Sequence, residues 1–222
     1  MTIPQQDADT LRAFRGLENS DASVRLRAAM AVGTAPDPGF VDKLIERCAI
    51  EPEFFVRDML TWALTRHSAS LTVPKLVDEL RSERAQARSQ ALHTLSKVGD
   101  RRAWPAITRD LMTDGDDEVA RSAWRAAVVL VPEGEEPELA EVLATQLGRG
   151  ERATQQSLSR ALIALGEVIL PVLRAAMTAP GPRVRAHAIA TERLLRDPDA
   201  DFAFAIEEAK RIVALGTTGQ QG

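Results

Sequence analysis

Cysteine is nearly absent from this 222-residue chain, and tyrosine is absent altogether. The single cysteine, Cys48, excludes an intramolecular disulfide and a cysteine-based zinc cluster, and its apolar helical context predicts a buried side chain. No run of about 18 uncharged apolar residues occurs, so we expect no transmembrane helix. The first residues lack a basic region followed by an apolar one, so we expect no secretory signal and a cytoplasmic location.

Motifs that carry chemistry are also missing. The three histidines, His67, His93 and His187, form no HExxH or i,i+4 pair. The acid-rich stretches 114–118 and 197–201 lack the ligand spacing of an EF-hand loop, and we interpret them as helix N-caps. There is no glycine-rich phosphate loop and no G-x-S-x-G. We therefore expect no catalytic residue, no metal site, no cofactor and no enzyme activity.

One pattern is repeated six times along the chain. In residues 82–112 it comprises a helix with small or apolar residues at i, i+4, i+7 and i+8, a turn at Gly99, and a second helix opening near Pro105. Pro74 and Pro171 are predicted to open the corresponding helices of other copies. The copies lie 30 to 35 residues apart, which indicates a repeat protein. Their first residues, called anchors below, are Val24, Val56, Ala87, Val119, Thr154 and Val184.

The pattern resembles the short HEAT-like repeat of phycobilin lyases over about residues 10–200. The matching residues are Val24-Arg25, Val56-Arg57, Val184-Arg185, Gly99-Asp100 and Pro105. The tetratricopeptide pattern, which needs tyrosine, and the T-P-L-H pattern of ankyrin repeats fit less well. The resemblance implies a fold and leaves the function open, because such repeats serve many unrelated tasks.

The repeats predict an all-α fold, a right-handed α-solenoid of about six HEAT-like helical hairpins. A last helix from Phe202 to Leu215 is predicted to cap it. Residues 1–9 are predicted to be a flexible N-terminus, 10–215 the solenoid, and 216–222 a disordered tail.

Helical geometry then identifies the surface that the second helices expose. Offsets +3, +6 and +10 from each anchor lie opposite the buried positions and carry several cations, two methionines and Trp62, but no acid. On a chain of net charge −4, this predicts a basic, apolar strip on the concave face. The predicted partner-binding residues are Arg27, Met30, Met59, Trp62, Arg66, His93, Lys97, Arg125 and Arg160.

Three other features have structural interpretations. Trp62 either contributes a binding hot spot or packs against the neighbouring repeat. Trp124 and Trp104 are expected to be structural. The arginines at offset +1 form a ladder that is expected to pair with acids or carbonyls of an adjacent turn, with Ala120 and Gln155 interrupting it. The ladder comprises Arg25, Arg57, Arg88 and Arg185.

The hypothesis that fits these features is a non-enzymatic scaffold or regulatory adaptor that binds an acidic or amphipathic protein segment. One alternative is a DNA-binding protein like the HEAT-repeat alkylpurine DNA glycosylases. Those enzymes have an Asp four residues after a Trp, whereas Arg66, Thr108 and Val128 occupy that position here. The net charge also argues against nucleic-acid and membrane binding. A chromophore-lyase-like subunit is a further alternative, supported by the repeat type alone.

Overall fold

The computed structural model describes residues 5–197 and 199–218, and these residues form helices and loops without a β-strand. Consecutive helices pack in pairs. The first helices are α1 (Gln5–Leu17), α3 (Val41–Cys48), α5 (Ala69–Glu79), α7 (Arg109–Met112), α9 (Glu136–Ala144) and α11 (Leu170–Met177). Their partners are α2 (Ala22–Thr34), α4 (Phe54–Thr65), α6 (Ala85–Val98), α8 (Asp117–Leu130), α10 (Arg152–Ala164) and α12 (Pro182–Arg196), after which comes α13 (Phe202–Thr218).

The second helices confirm the repeat pattern. Each of them begins two residues before its predicted anchor, so the six anchors occupy equivalent helical positions. The Asp21 carboxylate caps α2 by accepting from the Ser23 N–H, and Asp116, within the acid-rich stretch 114–118, caps α8 in the same way. Gly99 ends α6 in the left-handed conformation (φ 69°), which a glycine adopts without strain.

The first helices are less regular than predicted. Pro171 lies in the first turn of α11, as expected. Pro74, however, lies inside α5, so the prediction that it opens this helix was wrong. Pro105 lies in a 3-10 helix (Arg101–Ala106) that precedes the short α7, rather than at an α-helix start. The other 3-10 helices are Pro38–Phe40 and Gly166–Ile169.

The chain forms two compact units, Met1–Ile107 with α1–α6 and Thr108–Gly222 with α7–α13. In the first unit α4 packs on both α2 and α6, and in the second α10 packs on both α8 and α12. Each unit has its own buried leucines, such as Leu60 and Leu64 in the first and Leu158 and Leu162 in the second. Burial of such side chains supplies most of the folding free energy.

Helices extend into both of the terminal segments that the sequence set apart from the solenoid. Helix α1 begins at Gln5, within the segment 1–9 that the sequence assigned to a flexible N-terminus. Helix α13 ends at Thr218, within the predicted tail 216–222. Residues 1–4 and 219–222 lie outside the described residues.

Helix α13 packs on α12, as its predicted role as a cap requires. The two helices share an apolar cluster that includes Ala190, Leu194, Phe202 and Ile206. Offsets +3, +6 and +10 of the sixth copy, His187, Ala190 and Leu194, are therefore buried, so their predicted exposure was wrong. No described helix is long and apolar enough to cross a membrane.

Candidate functional site

The predicted binding residues of the first unit lie on its three second helices, except Arg66, which directly follows α4. Exposure is greatest for Arg27, Met30, Trp62, Arg66 and Lys97, whereas Met59 and His93 are half-buried. We call this surface the α2–α4–α6 face, defined by these seven residues. Arg125 on α8 and Arg160 on α10 are exposed as well, but they belong to the second unit.

Trp62 packs against the neighbouring repeat, which is one of the two roles that its sequence position left open. Its ring lies on Gly33 of α2, so close that a Cβ atom placed on Gly33 would lie 2.3 Å from the Trp62 Cζ3 atom. Because Gly33 has no side chain, the indole of Trp62 can pack directly against α2. Trp62 nevertheless remains 40 % exposed. It is thus anchored by the neighbouring repeat and still presents an aromatic surface to solvent.

Met30 extends the apolar surface beside Trp62. It precedes Gly33 by three residues, which places both on one side of α2, and its side chain is 46 % exposed. On the other flank, Thr61 and Thr94 are buried, with their hydroxyl oxygens 3.4 Å apart, where α4 meets α6. Trp62 therefore lies at the centre of the α2–α4–α6 face.

Sequence reasoning missed Phe55, which shares a side of α4 with Met59, Trp62 and Arg66 through the spacing i, i+4, i+7, i+11. Phe55 is 76 % exposed, the largest exposure among the large apolar side chains of the described residues. Its ring contacts Phe54 edge-on at a centroid distance of 5.5 Å. Extending the helical period one turn back from Met59 would have identified it.

The charge on this surface has one predominant sign. Helices α2 and α6 contain no acidic residue, and α4 contains one, Asp58. Arg27, Arg66 and Lys97 are exposed around the apolar centre. The face therefore combines apolar side chains with three cations on a chain whose net charge is −4.

The arginine ladder is structural, as predicted. In each of its four members the Nη1 group donates to the backbone carbonyls five and six residues earlier, at distances of 2.7 to 3.2 Å. These carbonyls belong to the loop before each second helix, so the arginine fixes the entry of the chain into the helix. The four members are Arg25, Arg57, Arg88 and Arg185.

The two interruptions of the ladder are compensated by other side chains. In the fifth repeat, the Gln155 amide donates to the carbonyl of Gly150, five residues earlier, at 3.3 Å. In the fourth repeat, where Ala120 occupies the position, Arg149 of the following repeat donates to the carbonyl of Asp114. Arg149 also donates to the Asp117 carboxylate at 2.9 Å.

Glu51 has a structural role that the sequence did not predict. Its carboxylate is fully buried and accepts from Arg25 in a bidentate pair (2.7 Å each), from Arg47 (2.9 Å) and from the Glu53 N–H (3.0 Å). Burial by itself raises the pKa of Glu51, but these hydrogen bonds lower the pKa to about 2. The ion cluster joins α2, α3 and the start of α4.

The buried thiol of Cys48 is unreactive. Burial raises the pKa of the Cys48 thiol to about 12, which keeps the thiol protonated.

Trp124 is fully buried and donates to the Met112 carbonyl at 2.8 Å, as its structural interpretation requires. Trp104 is half-buried in the 3-10 helix before α7. Among the described residues, no group of three His, Cys, Asp or Glu side chains could hold a metal ion.

The contact between Ser159 and His187 is not a catalytic pair. Ser159 Oγ lies 3.0 Å from His187 Nε2, but Nε2 also lies 3.0 Å from the Gln155 carbonyl, to which it donates its hydrogen. His187 Nδ1 accepts from the Gly148 N–H at 2.9 Å. Burial lowers the pKa of His187 to about 4, so this histidine is neutral and its Nε2 cannot take the serine proton.

No family profile and no curated protein sequence matches the chain. Matches occur among solved HEAT-repeat structures. Human deoxyhypusine hydroxylase in complex with glycerol is 18% identical over 94% of this chain and 95% of its own, with a TM-score of 0.47. The complex of CpcE and CpcF of phycocyanin lyase from Nostoc sp. is 19% identical over 90% of this chain and 93% of its own, with a TM-score of 0.37. Kap121p bound to Nup53p is 15% identical over 94% of this chain and 29% of its own, with a TM-score of 0.41. The similarity at these identities concerns the fold alone, and the chain is an all-α protein of paired helices.

Proposed function

We propose that the protein is a non-enzymatic interaction module, and that its α2–α4–α6 face together with Phe55 binds an acidic protein segment carrying an apolar anchor. The observation that carries the proposal is Trp62, which is seated on Gly33 and yet 40 % exposed at the centre of the face. An aromatic ring held in place by packing loses little conformational entropy when a partner covers it.

The chemistry of the face specifies the partner. Phe55, Met30 and Trp62 offer apolar surface that a large aliphatic or aromatic side chain can cover, and aromatic residues dominate binding energy at such sites. Arg27, Arg66 and Lys97 surround this surface and favour acidic residues on both sides of that anchor. Nucleic acid is disfavoured because three surface cations on a chain of charge −4 neutralise few phosphates.

The proposal is tested by affinity capture from the native cell, comparing the wild type with the double variant Trp62→Ala/Arg66→Glu. A matched control is Leu11→Ala/Arg81→Glu, which removes an exposed apolar side chain and reverses an exposed arginine elsewhere in the first unit. We expect a protein that is recovered with the wild type and the control but lost with the test variant. Equal recovery by all three would refute the assignment of this face, and recovery of nucleic acid instead would refute the assignment of the partner.

A further inference from the structure

The second unit contains a cavity that the proposed function does not use. It has a volume of about 740 Å³ and is half open to solvent, within the range of small-molecule sites. The start of α10, the start of α12 and one side of α13 form its walls. It therefore lies within one unit, on the packing of three helices.

Four cations line this cavity. Arg152, Arg183, Arg185 and Lys210 line it beside one acidic residue, Glu151, so the lining carries a formal charge of +3 on a chain of net charge −4. Outside the lining, Glu207 of α13 accepts from Lys210 at 2.8 Å. Two of the arginines are held in place by backbone carbonyls. Arg183 donates to the Gly150 carbonyl at 2.6 Å, and Arg185 donates to two loop carbonyls through Nη1 alone. Preorganised guanidinium groups suit the bidentate recognition of phosphate.

The positions of the arginines contradict the usual preference of helix ends. The N-terminus of a helix carries partial positive charge and favours acidic residues in its first turn. The first turns of α10 and α12 contain no acid, and instead contain Arg152, Arg183 and Arg185. A cation in the first turn of a helix is unfavourable because it lies next to the partial positive charge of the helix end. Where helix N-termini beside a cavity carry arginines instead of acidic residues, a bound anion would offset the unfavourable positive charge.

The floor of the cavity is aliphatic. Ala186, Ile206 and Val213 line it and belong to the apolar cluster between α12 and α13. No aromatic side chain lines the cavity, so no aromatic ring there would stack on a nucleobase. The cavity therefore offers cations at its rim and an aliphatic surface below.

We propose that this cavity binds a small phosphate monoester with an aliphatic portion, such as a short alkyl phosphate. The phosphate dianion contacts Arg152, Arg183 and Lys210, and the alkyl chain covers Ile206 and Val213. A carboxylate brings half the charge of a phosphate dianion, so a cluster of four cations matches the phosphate better.

Calorimetric titration of the full-length protein with n-butyl phosphate, and separately with inorganic phosphate, tests this site. The test variant is Arg152→Gln/Lys210→Gln, in which both replaced side chains are exposed. The control is Arg174→Gln, which removes an exposed arginine of α11 outside the cavity. Thermal unfolding of each ligand-free protein shows whether the variants fold.

We expect butyl phosphate to bind with one-to-one stoichiometry and more tightly than inorganic phosphate. The test variant should weaken binding about tenfold or more, while the control stays within about twofold of the wild type. The test variant also loses the Lys210–Glu207 ion pair, but this pair is exposed and contributes little, so the ligand-free melting temperature should stay close to that of the wild type. The proposal is overturned if neither probe binds saturably, if both bind equally, or if the control weakens binding as much as the test variant.

Discussion

The Trp62 ring occupies the space that any side chain on Gly33 would fill, since a Cβ atom there would also lie 2.7 Å from the Trp62 Cε3 atom and 3.0 Å from the Ala63 Cα atom. Helices α2 and α4 therefore approach each other closely at this point because residue 33 is glycine. The same contact sets the orientation of the ring that the proposed partner would cover.

Gly33→Ala should lower the free energy of unfolding by about 1–3 kcal/mol, because the added methyl group must displace the indole or separate the helices. The emission of Trp62 should also change. Chemical denaturation with fluorescence detection measures both effects. Gly115→Ala is the control, because a Cβ atom at Gly115 has no neighbour within 4 Å. Equal stability of Gly33→Ala and the wild type would contradict the packing described for Trp62.

Glu51→Gln should lower the free energy of unfolding by about 3–5 kcal/mol, because it leaves the buried Arg25 without a counter-charge. The wild type should also lose stability in acid. The folded pKa of Glu51 is about 2 against an ordinary 4.5, so its contribution is complete above pH 4.5 and is lost as the pH falls towards 2. Denaturation of both proteins between pH 6 and pH 3 measures this difference. A Glu51→Gln variant with wild-type stability at pH 7 would contradict the assigned role.

Because of His187, the free energy of unfolding should fall as the pH is lowered from 6.5 to 4. Its pKa is lowered from 6.5 to about 4 in the fold, so the unfolded chain binds a proton in this range and the folded protein does not. Stability is therefore complete above pH 6.5 and falls by roughly 1 kcal/mol per pH unit below it. His187→Gln should be less stable at pH 7 but should lack this part of the slope. Parallel pH profiles for the two proteins would show that His187 does not contribute it.

Arg149→Ala should lower the free energy of unfolding by about 2 kcal/mol, because Asp114 and Asp117 both lose a charged hydrogen-bond donor. Arg149→Lys should restore part of the loss, since an ammonium group can reach one acceptor but cannot reproduce the guanidinium fork. Thermal unfolding of these variants beside Arg174→Ala, an exposed arginine elsewhere in the second unit, measures the effect. If Arg149→Ala unfolds like this control, Arg149 does not replace the missing arginine of the ladder.

The sequence predicted the features that depend on helical periodicity. The six second helices, the Gly99 turn and the exposure of Trp62 follow from the spacing of apolar residues, which the helix geometry imposes on every repeat. The arginine ladder was predicted because the same residue type recurs at the same offset. These features are local, so each can be identified from one stretch of the chain.

The features that the sequence did not predict depend on contacts between distant residues. Arg149 replaces the missing arginine of the fourth repeat by donating to a carbonyl 35 residues earlier, and no local pattern identifies such a donor. His187 lies at offset +3, where Arg27 of the first repeat is exposed, but in the last repeat Phe202 of α13 contacts this residue and it is buried. Phe55 was missed for a different reason: the periodic pattern was not extended to the residue before the anchor.

The most direct test of the proposed function is the dissociation constant of the captured partner for the wild type and for Phe55→Ser. Phe55 is 76 % exposed, so its replacement should leave the free energy of unfolding nearly unchanged. If the α2–α4–α6 face and Phe55 bind the partner, Phe55→Ser should weaken binding about tenfold, as expected for removal of an aromatic contact. An unchanged dissociation constant would contradict the proposal that this surface is the binding site.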